Sequence, residues 1–287
     1  MSSSHNHSRK NIGFALGLNA SFTLIEFIGG YLTGSVAIIA DAFHDLGDTL
    51  TLVISYFMEK KSEKRPSEAY SYGYQRYSVL GALISGLILV SGSTIVVWEA
   101  FPLIFSPKEN HPSGMMAVAL LGIVANGLAF FRLHHGHSEN EKMIKWHLFE
   151  DPAGWVAVLI ASVVMYFYHV PWLDPLLAVF IALFIAYNVF RNMRRVIGIF
   201  LQKAPADFNT VEFINKVKGI ELVYDAHDVH CWTLDGTQHV ISCHLVLPDE
   251  ADQEVVKEKV RALDPWQESH FTIEIERKGA ECNHSCD

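Results

Sequence analysis

The sequence predicts a membrane all-α domain of six transmembrane helices, followed by a small α+β domain. Three observations carry that prediction. Half of the 287 residues are hydrophobic and mean hydropathy is positive, a composition that suits a membrane protein with a modest soluble part. Six apolar runs each reach about 20 residues, one bilayer crossing as a helix. From Pro205 onward the pattern changes to short alternating and amphipathic segments.

The runs are Ile12–Leu32, Ser35–Met58, Val79–Phe101, Gly114–Leu133, His147–Tyr168 and Leu173–Val196. Only Thr33-Gly34 joins the first two, so they form a hairpin. The first run follows a polar opening, Met1 to Lys10, and has no small-residue cleavage pattern after it, so it reads as a retained helix. Gly29, Gly30, Gly34, Gly81, Gly86 and Gly92 permit close helix packing. In the tail, Thr210–Val217 reads as a helix capped by Asn209 or Thr210. Val223–Leu234 and His239–Leu247 read as strands joined at Asp235-Gly236. Asp252–Leu263 is an amphipathic helix, and His270–Glu276 alternates as a strand. The order α-β-β-α-β describes a small ferredoxin-like α+β domain. Domain limits follow: a tail over 1–10, the membrane domain over 11–203, the α+β domain over 204–278 and a Cys/His tail over 279–287.

Charge placement orients the chain. Arg9 and Lys10 precede the first run. Lys60, Lys61, Lys64, Arg65 and Arg76 lie between the second and third, Arg132, Lys142 and Lys145 between the fourth and fifth, and Arg191, Arg194 and Arg195 close the sixth. The opposite loops hold only Lys108. Basic residues concentrate on the cytoplasmic side, so both termini are cytoplasmic. The compact loops favour a bacterial inner membrane. The formal charge is −9 and the segment from Ala204 is acidic, which excludes nucleic acid as a partner. All four cysteines (Cys231, Cys243, Cys282, Cys286) fall in that segment. In the cytoplasm they read as thiols or metal ligands, not disulfides.

The chemistry centres on Ala40-Asp41-Ala42-Phe43-His44-Asp45-Leu46-Gly47-Asp48 in the second run. Ionisable groups at that depth are costly and functional. His147-Leu148-Phe149-Glu150-Asp151 repeats the His-x3-Asp spacing in the fifth. Residues i and i+4 share a helix face. Two such faces opposed would offer two imidazoles and two carboxylates to one divalent, zinc-like ion; the bland alternative is a polar network between helices. Asp45 and Glu150 sit one residue off those faces and point to a water path or to groups supporting the ligands. Pro152 fits a helix start. Glu26 and Asp174 read equally as an ion path or a polar helix contact, and Asn19 shares the first span with Glu26. His134, His135 and His137 form a loop cluster that either binds metal loosely or is simply solvated. In the tail, His227, His230, His239, His244 and His270 recur with Glu274 and Glu276. Cys282 and Cys286 close the chain as a C-x3-C pair, with soft donors suited to zinc or copper.

These residues resemble the cation diffusion facilitator family, in its zinc-transporting branch. The resemblance rests on Gly34-Ser35-Val36-Ala37 leading into Asp41, His44 and Asp48, and on Tyr72-Gly73-Tyr74-Gln75-Arg76. It extends to His147-x3-Asp151, Asp174-Pro175 and His227-Asp228-Val229-His230-Cys231-Trp232, and so covers nearly the whole chain. It implies a homodimeric antiporter in the lipid bilayer that exports divalent cations, with Zn2+ as cargo, against protons. The transport ligands would be His44, Asp48, His147 and Asp151. It also implies a cytoplasmic metal site at His227, His244 and Glu276, and a zinc site at Cys282 and Cys286 completed by His5 and His7. Ser78 departs from the family by standing where an acid is usual, and the histidine loop is short. Two rivals remain. An intramembrane metalloprotease would need His-Glu-x-x-His and an open zinc position, both lacking here. A metal sensor would bind without flux. The sequence therefore points to a transporter, not an enzyme.

Overall fold

In the computed structural model, the described residues are 20–133 and 139–277, with side chains described over 20–127 and 152–277. Six helices come first: α1 (20–33), α2 (Val36–Ser62), α3 (Arg76–Phe105), α4 (Pro112–Leu133), α5 (Glu139–Phe167) and α6 (Leu173–Phe200). Then come α7 (Thr210–Lys218), β1 (Asp225–Thr233), β2 (His239–Leu247), α8 (Gln253–Arg261) and β3 (His270–Arg277). The chain divides into two compact units. One comprises Met1–Phe57 and Ile84–Asn192, the other Met58–Leu83 and Met193–Asp287. The 203/204 limit drawn from the sequence falls inside the second.

The first unit is built on helix-to-helix packing. Gly34 takes φ +68° at the α1–α2 turn, a left-handed conformation that costs glycine little. The core joins Phe22 of α1, Ile38 of α2, Val96 of α3, Met115 and Ala119 of α4, Trp155 and Val158 of α5, and Ala178 of α6. Outward lie Tyr31, Trp98, Phe105, Phe167 and Phe180, all more than two-thirds exposed. A water-soluble monomer does not carry so much exposed apolar surface, whereas hydrocarbon accepts it. By length and apolarity α3 and α6 can each cross a membrane, with mean hydropathies of 2.2 and 2.0. The apolar stretches of α4 and α5 are shorter, Pro112–Gly127 and Pro152–Phe167. In α2 the acidic stripe interrupts the apolar run.

One expectation is overturned. Pro152 does not start the fifth helix: α5 begins at Glu139 and carries Pro152 inside it. The polar stretch from Glu139 to Lys145 lacks the apolar period that marks a helix in sequence, yet it is helical. The proline has no N–H to give to the carbonyl of Leu148, so the ladder is interrupted within the His147–Asp151 turn.

The second unit holds a three-stranded sheet in the order β1-β2-β3, antiparallel between β1 and β2 and parallel between β2 and β3. The α-β-β-α-β order holds as expected, but a full ferredoxin-like sheet opens with a further strand, and none is present among the described residues. Asn209 caps α7 by accepting from the Glu212 amide, and Asp252 caps α8, as Asx side chains do. Asp235 Oδ1 accepts from Thr237 and Gln238 to close the β1–β2 loop, where Gly236 has φ +98°. Phe213, Val217, Val256 and Val260 of the helices pack on Cys231, Ile241, Cys243, Leu245 and Leu247. Strand alternation then sends His244, Glu274 and Glu276 to the opposite, open face.

Candidate metal centres and the family

The N-terminal end of α2 is fixed before its metal-type residues begin. Ser35 Oγ accepts from the Ile38 amide at 3.1 Å, as an N-cap does. Asp174, at the start of α6 and 1% exposed, reaches across to the same turn. Its carboxylate accepts from Ser35 Oγ at 2.6 Å, from Val36 N at 2.6 Å and from Ala37 N at 3.3 Å. A negative charge there also complements the helix dipole. Of the two readings open for Asp174, the polar helix contact is the one observed.

Two turns further along α2, His44 Nε2 lies 3.8 Å from an Asp48 carboxylate oxygen, and both side chains are largely buried. His44 Nδ1 is buried without a hydrogen-bond partner among the described residues. A nitrogen left so is expensive unless a ligand or a proton exchange makes use of it. Asp41 and Asp45 are buried as well, at 9% and 5% exposure, so the acidic stripe runs from Asp41 through Asp45 to Asp48. Sequence reasoning included Asp41 in the motif but assigned it no ligand role, although its spacing of seven residues from Asp48 puts it on the same face. Glu26 on α1 is fully buried.

His147 and Asp151 lie on α5, four residues apart on one helix; their side chains fall outside the described ones. What holds the next turn is clear. Trp155 is fully buried against Gly122 of α4, where an added Cβ would come within 2.2 Å of the indole. Phe22 of α1 meets the same ring edge-on at 5.8 Å. Only glycine at 122 admits this approach, and it fixes the α4–α5 spacing one turn beyond Asp151.

The second centre lies on the open face of the sheet. His227, His244 and Glu276 each offer a donor atom within 4.8 Å of the others. His244 Nδ1 is 2.8 Å from Glu276 Oε1, and His227 Nε2 is 3.4 Å from Glu276 Oε2. A β-bulge makes the cluster possible. His227 pairs with His244 but His230 pairs with Ser242, so one extra residue is inserted, and Asp228 carries the turn at φ +50°. Without it, His227 and His230 would point to opposite faces. Asp228 also touches His244 at 3.4 Å and His230 at 2.9 Å. No periodicity announces a bulge, so its role was invisible in the sequence.

The remaining candidates part company. His230 is exposed beside Asp228, His239 stacks on Trp266 at 3.7 Å, and His270 meets Tyr72 edge-on, so none joins the cluster. Cys231 and Cys243 are buried and free. Burial pushes their thiols up to about 12 and about 11, which disfavours the thiolate form. Ser78 closes the turn before α3 by donating to the Gln75 carbonyl. His5, His7, His134, His135, His137, Cys282 and Cys286 lie outside the described residues.

The family described as the cation efflux transmembrane domain matches residues 13–201. This chain belongs to the cation diffusion facilitator family. As a facilitator it is a membrane transporter and not an enzyme. It is 28% identical to the zinc transporter ZitB of Escherichia coli K12, over 99% of this chain and 96% of that one. It is 27% identical to the cadmium, cobalt and zinc/H(+)-K(+) antiporter of Bacillus subtilis 168, over 95% and 91%. A metal cation efflux system protein, CzcD of Cupriavidus metallidurans, is 28% identical over 95% and 89%.

Proposed function

We propose that this facilitator exports zinc from the cytoplasm in exchange for protons, at a site formed by His44 and Asp48 of α2 with His147 and Asp151 of α5. The single observation that carries the reading is the buried His44–Asp48 pair, whose second imidazole nitrogen has no partner among the described residues. The names of the relatives, zinc transporter and cadmium, cobalt and zinc/H(+)-K(+) antiporter, support the cargo and the exchange. On this reading all six apolar runs cross the bilayer of a bacterial inner membrane, and both termini are cytoplasmic.

The chemistry follows from competition for the same atoms. Zinc takes neutral imidazole and ionised carboxylate, so binding releases protons and protonation releases metal. An unperturbed imidazole titrates near 6.5, within reach of both sides of a membrane carrying a pH gradient. Two nitrogens and two oxygens satisfy a tetrahedral ion. Rocking of helix groups about this fixed point would alternate access, and the interrupted backbone at Pro152 places a yielding point in α5 beside two of the ligands.

His227, His244 and Glu276 fit a resident zinc, since two imidazoles and a carboxylate already share one space. An ion held there would add binding energy to the fold of the second unit and make the cluster a reader of cytoplasmic zinc, in a homodimer. Cys282 and Cys286, with His5 and His7, would form a further zinc site, and His134, His135 and His137 a loose capture site. The test is flux in proteoliposomes holding a zinc-sensitive dye and a pH gradient. Wild-type protein should move zinc, and His44→Ala or Asp151→Ala should abolish movement while still inserting. Zinc flux in either variant would end the proposal, and binding without flux in the wild type would make the chain a sensor.

A further inference from the structure

A long apolar trough borders His44. One cavity of about 430 Å3 lies among α2, α3 and α6, bordered by His44, Gly47, Leu50 and Gly92. A second, of about 470 Å3, continues along α3 and α6 past Trp98 and Phe101 to Pro102. They share Ser93, so together they follow α3 from Ile84 to Pro102. At 1.5 Å per residue that is about 27 Å, room for the roughly 15 Å that one leaflet's tail occupies in a hydrocarbon core of about 30 Å. Counted inward from Trp98, that tail length reaches Ile88, on the wall shared with His44. Gly92 holds the trough open: a Cβ added there would meet nothing within 4 Å. Gly47 thins the other wall, where a Cβ would press on Leu89 at 2.8 Å.

We propose that this trough binds one acyl chain of a membrane phospholipid, with its tail end against the His44 imidazole. Length and lining argue for that occupant. The walls are mainly apolar, with His44, Ser91, Ser93 and Thr94 as the polar residues, and the two cavities follow α3 over several turns. That shape suits a linear hydrocarbon rather than a compact ligand. Trp98 at its far end is 79% exposed, and tryptophan there marks the level of the headgroups. A tail reaching inward from that level ends beside His44 and keeps water off the side of the imidazole that borders the cavity. The inference rests on α3 and α6 spanning the membrane and not on which metal His44 holds, so it can fail while the transport reading stands.

The full chain is placed in phosphatidylcholine nanodiscs containing a phosphatidylcholine with a diazirine at one acyl terminus. After irradiation, labelled peptides are mapped. Label should concentrate on α2 around His44 and on α3 around Gly92, above the level at Tyr166 and Phe167, which are exposed on α5. Gly92→Leu fills the trough and should remove the label there while leaving Tyr166 and Phe167 labelled. Gly92→Ala adds a single carbon into open space, keeps the fold and should weaken the same label. Labelling no stronger around His44 and Gly92 than at Tyr166 and Phe167, or labelling unchanged in the alanine variant, overturns the proposal.

Discussion

Asp174→Asn separates a structural carboxylate from a proton-carrying one. The native group receives three hydrogen bonds from the first turn of α2. The amide can still accept through one oxygen, but its nitrogen then faces a donor, either the Val36 amide or the Ser35 hydroxyl. A lost hydrogen bond to a charged group costs roughly 1.5–3 kcal/mol. For a chain of this size that lowers the unfolding midpoint by roughly 3–12 °C. The damage stays local. His44 lies eight residues past Val36, about 12 Å along the helix, so zinc affinity and pH-driven flux per folded molecule should persist. Thermal unfolding of purified protein, paired with flux in proteoliposomes, measures both. An unchanged midpoint together with loss of proton-driven flux would refute the capping argument and make Asp174 part of the proton path.

Gly122→Ala should force Trp155 and α5 away from α4, at roughly 1–3 kcal/mol for an overpacked core, and lower flux by displacing the turn that carries Asp151. Wild-type unfolding and flux in that variant would contradict the packing account. In the second unit, burial lowers the pKa of His239, so the unfolded chain takes up its proton first. Stability should therefore be full above the ordinary histidine value near 6.5 and fall as pH drops through it. His239→Phe should flatten the decline in a pH series of unfolding curves, and an equally steep decline in that variant would exclude His239 as its source.

The helices and strands were legible because their signals are local. The apolar runs gave the helix positions, and Asn209, Asp252 and Asp235-Gly236 gave caps and turns within a residue or two. The start of α5 was not, because Glu139–Lys145 has no apolar period and Pro152 resembles a first-turn proline. At the site, the four-residue spacing of His44 and Asp48 was enough to pair them. The role of Asp174 depends on a helix more than a hundred residues away in sequence. The cluster of His227, His244 and Glu276 was named only through family resemblance. Its cause is the inserted Asp228, and a one-residue bulge leaves no trace in composition or alternation.

Zinc X-ray absorption tests the central claim most directly. The sample is the full chain with His134, His135, His137, His227, His244, Cys282 and Cys286 replaced, which leaves His44, Asp48, His147 and Asp151 as the proposed zinc site. The account predicts one bound zinc with nitrogen and oxygen neighbours at about 2.0–2.2 Å, two imidazoles among them, and no sulfur near 2.3 Å. It further predicts loss of that zinc on His44→Ala. Zinc retained at full occupancy without His44, or a shell containing sulfur, would contradict it.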